Sequence, residues 1–127
     1  DLDNDGALDV LVVRREGPLE ILRNRAGGSR HWVMLQLEDA QGRETRNAVI
    51  RVEAAGQVLW RQQQPNEGYA SSQDPRVHFG LGGAERVDHV WIRWPDGRSE
   101  DFGPLPANRI HRVRQGDGNA APGAFPW

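Results

Sequence analysis

The chain has 127 residues, 18 acidic and 16 basic side chains (every basic one an arginine), a net charge of −2 and no cysteine. That length suffices for a compact domain with its own core, and the lack of cysteine excludes a disulfide framework, a cysteine zinc site and a thiol nucleophile. The arginines are scattered rather than blocked, which argues against a nucleic-acid footprint, and no apolar run approaches the roughly 20 residues of a membrane-spanning helix.

The first element is acidic. "DLDNDGALD" holds aspartates at positions 1, 3, 5 and 9 and a glycine at 6. Calcium takes six to eight hard oxygen ligands at about 2.3 to 2.6 Å. Carboxylates at alternate positions of a tightly wound loop can meet at one point, and Gly6 permits the sharp turn. Asp1, Asp3, Asp5 and Asp9, with the carbonyl of Ala7, form the candidate calcium set. The competing reading is a solvated acidic turn, since Asp, Asn and Gly are the commonest turn residues. The loop is not an EF-hand, which needs a bidentate Glu at its twelfth position and a following helix; position 12 here is Val12.

Next comes "DVLVVRREGPLEILRNR". Its β-branched run, its "REGP" break and the return of Leu19 and Ile21 read as a β-hairpin. "NRAGGSR" reads as a linker. "HWVMLQLED" alternates, with Val33, Leu35 and Leu37 on one face and Trp32, Met34 and Gln36 on the other. "NAVIRVEAAGQVLWRQ" reads as two strands about an "AAGQ" turn, and "QPNEGYASSQDP" as a long polar loop. "RVHFGLGG" is a short strand ending in glycines. "RVDHVWIRWPDGRSEDFG" is the clearest hairpin, with Val90, Ile92 and Trp94 on one face and His89, Trp91 and Arg93 on the other. "NRIHRVR" is a last strand. With 15 glycines and 8 prolines and little helical periodicity, the expected fold is all-β: an antiparallel sandwich or a partly open barrel.

"DLDNDGALDVLVV" followed by "GPLEILRN" resembles the calcium-loop repeat of integrin-like β-propellers, the FG-GAP or VCBS type. The resemblance implies that residues 1–26 are the remnant of a last propeller blade. The strand before Asp1 is then expected in an upstream propeller of the same chain. Residues 31–115 resemble the ASPIC and UnbV domain in "HWVMLQL", "NEGYASSQ", "HFGLGG", "VDHVWIRWPDG" and "ANRIHRV". One departure is Val49-Ile50-Arg51, where that family usually has a glycine before the arginine. The resemblance implies a propeller-associated β domain that is secreted, periplasmic or on the cell surface. It brings no catalytic mechanism. Residues 116–127 are expected to be a mobile tail.

Among other chemistry-bearing residues, His31, His78, His89 and His111 show no metal-site spacing, and His78 reads as a hydrogen-bonded structural histidine. Ser71 and Ser72 lack a nucleophile elbow. Asn66, Glu67, Tyr69 and Gln73 gather in one polar loop, where recognition is most often found. Trp91 and Arg93 share a face away from the core, a pairing able to stack on a sugar or anchor an interface. Trp32 also faces away, either exposed or packed against the propeller. These features favour a non-enzymatic binding, adhesion or structural module on a calcium-binding propeller. The alternatives are a carbohydrate-binding module and the accessory domain of a secreted hydrolase. Partners are expected to be the upstream propeller and extracellular protein or glycan. Without its neighbouring blade strand, "LDVLVV" is expected to self-associate or to lie against the β domain.

Overall fold

The computed structural model describes residues 1–25, 30–64, 66, 68, 69 and 72–121. Among them there are twelve strands and no helix: β1 (Val10–Val12), β2 (Glu20–Leu22), β3 (His31–Glu38), β4 (Val49–Ala54), β5 (Gln57–Gln62), β6 (Val77–Gly82), β7 (Arg86–Val87), β8 (His89–Arg93), β9 (Ser99–Asp101), β10 (Leu105–Pro106), β11 (Arg109–Arg114) and β12 (Asn119–Ala120). The fold is the expected all-β one, and no sheet closes into a barrel. A five-stranded sheet, β12-β9-β8-β4-β5, and a three-stranded sheet, β11-β3-β6, supply the core between them.

The alternation of each strand decides which side chains enter that core. Ile50 and Val52 of β4 stand opposite Ile92 and Val90 of β8, and all four are fully buried. Val33, Leu35 and Leu37 of β3 and Val77, Phe79 and Leu81 of β6 close the other side. Trp94 completes the centre. Its ring meets Phe102 edge-on at 6.2 Å between centroids, and its Nε1–H donates to Glu100 Oε2 at 2.7 Å. The indole thus keeps a polar partner at the margin of an apolar core, as a buried tryptophan requires. Between β4 and β5, Ala55 and Gly56 both take positive φ, 48° and 76°. Two consecutive left-handed residues make the tight hairpin turn that matches strand twist.

Two details differ from the sequence reading. β11 runs parallel to β3, with Arg109 opposite Val33 through Arg114 opposite Glu38, so the smaller sheet is mixed rather than antiparallel. The domain's first and last long strands lie side by side, and the chain between them supplies the long crossover that a parallel pair needs. The segment expected as a tail begins with order: Asn119–Ala120 pairs with β9, and Gly116 N–H donates to Glu100 at 3.0 Å. Residues 122–127 lie outside the described residues.

The hairpin of β1 and β2 forms as read, with Leu11 opposite Ile21 and Arg14 paired to Glu20 at 2.7 Å. It buries little. Val10, Leu11, Val13, Leu19, Ile21 and Leu22 are all exposed.

Candidate functional site

The acidic loop ahead of β1 is wound by two left-handed residues, Asn4 at φ 58° and Gly6 at φ 89°. Asp1 caps the turn: its Oδ1 accepts from Asp5 N–H at 3.1 Å and its Oδ2 from Gly6 N–H at 3.0 Å. Asp5 Oδ1 accepts from Ala7 N–H at 2.8 Å. One carboxylate oxygen from each of Asp1, Asp3 and Asp5 lies within 4.8 Å of the others. Oxygens bound to one calcium lie at most about 4.6 to 5.2 Å apart, twice the bond length. The donor set therefore fits a hard divalent cation: three acceptor-only groups at one point, with mutual repulsion to relieve. The Arg23 guanidinium bonds Asp3 Oδ2 and offsets part of that charge.

Asp9 stands apart from this cluster. Its Oδ1 accepts from Asn24 N–H at 2.8 Å and its Oδ2 from Leu2 N–H at 3.2 Å. These two backbone bonds, that from Asn24 first, hold its carboxyl below the ordinary value of 3.8. Asp9 thus ties the loop to the end of the hairpin.

The loop sits on the smaller sheet. Gly6 lies against the Trp32 indole so closely that a Cβ there would overlap the ring. Its carbonyl accepts from His78 Nε2–H at 2.9 Å, and the Trp32 and His78 rings are stacked, 6.1 Å apart at 16°. Burial lowers the His78 pKa from 6.5, and the Gly6 carbonyl opposes the shift only in part. Asn4 Oδ1 accepts from Arg76 Nη1 at 2.6 Å, and Asp74 holds Arg76 from the other side at 2.9 Å. His78 is thus a hydrogen-bonded structural histidine, as read, and the face of Trp32 turned from the core is covered by the acidic loop. A cleft of ≈ 1040 Å³ opens beside it, walled by Asp5, His31, Trp32, His78 and Asn108 among others.

The other sequence candidates do not come together. Trp91 lies on the outer face of the five-stranded sheet, opposite Arg51 of β4 and Asp101 of β9. Its ring stacks on His89 at 4.7 Å and 12°, and the Arg51 guanidinium stands 4.2 Å from its centroid and 5.8 Å from that of Trp60. His89 Nδ1 is 2.8 Å from Asp101 Oδ2, and Arg51 is ion-paired to Glu53. Arg93 shares that face but stands opposite Val49. Sequence reading placed Trp91 on this face but missed Arg51 and Trp60. Their place in the same row depends on strand register, which alternation within one strand does not contain.

In the polar loop, Tyr69 is fully exposed, and Asn66 and Gln73 are exposed as well; Glu67 lies outside the described residues. The buried polar group at the base of this loop is Gln63, whose Nε2–H donates to the Pro75 carbonyl at 3.2 Å. His31 and His111 are held locally by Asn108 at 2.9 Å and the Pro106 carbonyl at 2.8 Å. Among the described residues, no other trio of His, Asp or Glu gathers with metal-ligating geometry. No helix among them is long and apolar enough to cross a membrane.

Comparison with known proteins places the sandwich. The family model "ASPIC and UnbV" matches residues 38–120, well over half of the chain. Cartilage acidic protein 1 of Mus musculus is 33% identical over 103 residues, covering 77% of this chain and 16% of that protein. Its counterparts in Homo sapiens and Xenopus tropicalis are 32% and 30% identical over 103 residues, each across 77% of this chain. The chain spans only about 16% of the length of the curated relatives it matches. With strands β4 to β12 inside the matched region, the chain belongs to the ASPIC and UnbV family.

Proposed function

We propose that this chain is a non-enzymatic extracellular binding or structural module carried on a calcium-binding propeller, with the acidic loop as its calcium site. The observation that carries the reading is the convergence of Asp1, Asp3 and Asp5 within 4.8 Å. Asp1, Asp3 and Asp5 would hold the ion through carboxylate oxygens and Ala7 through its carbonyl. Asp9 would act by fixing the loop to the segment just after β2. A calcium ion there neutralises crowded carboxylates and rigidifies the turn; no bond of any substrate need be broken. The name of the relatives, cartilage acidic protein, supports the extracellular setting. In that setting a dissociation constant of about 10⁻⁴ to 10⁻³ M, that of extracellular calcium modules, is enough.

The carbohydrate alternative draws less support, because the Trp91 ring is already engaged by His89 and Arg51. The fully exposed Tyr69 offers a protein-binding anchor instead. The calcium reading is tested by thermal unfolding with millimolar calcium or with chelator. A ligand that binds only the folded state raises the midpoint by mass action. We expect calcium to raise the midpoint of the natural chain and to leave that of Asp3→Asn unmoved. Equal midpoints for the natural chain in calcium and in chelator would return the loop to a simple acidic turn.

A further inference from the structure

The acidic loop presents different residues to two different neighbours. Asp1, Asp3 and Asp5 turn their carboxylates toward one another. Asn4 and Gly6, which alternate with them, face the sandwich: Asn4 through Arg76 at 2.6 Å and Gly6 through His78 at 2.9 Å. Both alternating residues have left-handed φ, so the conformation that gathers the carboxylates is also the one that meets the sheet. The Trp32 indole lies against Gly6 with no room for a Cβ. All three sandwich residues are far away in the chain; Arg76 and His78 are each 72 positions from their loop partners.

We propose that Trp32, Arg76 and His78 form a docking seat for this loop that sets its calcium affinity, acting as positioning residues although none is a ligand. The inference rests on the calcium reading above. A free loop must be ordered as the ion binds, and that ordering opposes binding. The seat orders the same turn in advance, so the ion meets carboxylates already gathered. Linkage makes the effect reciprocal: whatever factor the seat contributes to calcium affinity, calcium returns to the docking of the loop. The loop thereby becomes a calcium-tightened joint between whatever precedes it and the sandwich.

The test is calorimetric calcium titration of the full chain beside Trp32→Phe, Trp32→Ala and Arg76→Gln, each first shown folded by near-ultraviolet circular dichroism. Heteronuclear spectra of the tryptophan indole N–H groups accompany it. We expect Trp32→Ala and Arg76→Gln to weaken calcium binding by about fivefold or more, within the usual range of coupling between sites. Trp32→Phe, which keeps an aromatic ring on Gly6, should fall between them and the natural chain. The Trp32 indole signal should move with calcium, while that of Trp60, on the other sheet, stays. If Trp32→Ala fails to fold, Arg76→Gln and Trp32→Phe carry the decision. A natural chain that binds calcium while every folded variant binds within twofold of it, with a static Trp32 signal, overturns the seat alone. A natural chain that takes no calcium overturns the calcium reading and the seat with it.

Discussion

Ile50 and Ile21 each sit within a short antiparallel strand, and they meet opposite fates. Ile50 is fully buried between β5 and β8, while Ile21 is 52% exposed on a ribbon of two three-residue strands. Composition does not separate the two regions, since "VLVV" is as apolar as anything in the sandwich. The difference is the second layer. In the sandwich each apolar face meets another sheet, so burial adds up across β3, β4, β6 and β8. Among the described residues the hairpin has no second sheet across it, and an isolated two-stranded ribbon is marginal in water. What fixes its position is a handful of single contacts: Asp9 bonded to Asn24, and the loop set against Trp32, Arg76 and His78. The sandwich is held by its core, whereas the hairpin is held by its loop.

Truncating one large or branched side chain in each region should separate the core from the ribbon. Trp94→Ala should cost about 3–5 kcal/mol of unfolding free energy, because it empties the centre of the core and removes the indole N–H that donates to Glu100. Ile21→Ala should stay within about 0.5 kcal/mol, the usual range for exposed positions. Urea unfolding of both variants checks the pair; an equal loss would mean that the hairpin has a hidden packing partner.

Hydrogen exchange sharpens the same contrast without mutation. Backbone amides of β3, β4 and β8 should exchange only with global unfolding, and those of β1 and β2 through local opening. Calcium should slow exchange in residues 2–9 and 24 more than in β4. Uniform protection across the hairpin and the sandwich would argue that they open as one unit.

A smaller effect comes from pH. Burial keeps the folded-state pKa of His78 below its ordinary 6.5. As pH falls below 6.5 the unfolded chain takes up the proton first, so stability declines until the folded-state pKa is reached and then levels. The carboxylates of Asp9, Asp39 and Asp74 are shifted below 3.8 by hydrogen bonds, from the Asn24 and Arg43 backbones and the Arg76 side chain respectively. Their stabilisation is lost only as pH drops below 3.8. His78→Asn should therefore erase the first decline and leave the second, as read by thermal midpoints from pH 8 to pH 3. A first decline that survives the substitution would assign it to another group.

These regions also differ in how far they could be read in advance. Period-two alternation placed Val90, Ile92 and Trp94 correctly in the core, because that signal is local. The D-x-D-x-D-G spacing likewise marked Asp1, Asp3 and Asp5, which the loop gathers. Asp9 was grouped with them by spacing alone; its bond to Asn24 depends on the hairpin folding back, 15 residues on. The parallel pairing of β11 with β3, the Arg51 row and the seat beneath Gly6 all join residues remote in the chain. No local period encodes such contacts, and they become visible only when the sheets are assembled.

On the function proposed above, the three gathered aspartates make a calcium site. Calorimetric titration of calcium into the full chain and into Asp5→Asn tests it most directly. A saturable heat with a dissociation constant of about 10⁻⁴ to 10⁻³ M, lost in the variant, is the predicted result. No heat from the natural chain at calcium concentrations well above that range, or equal heats from the two proteins, would contradict it.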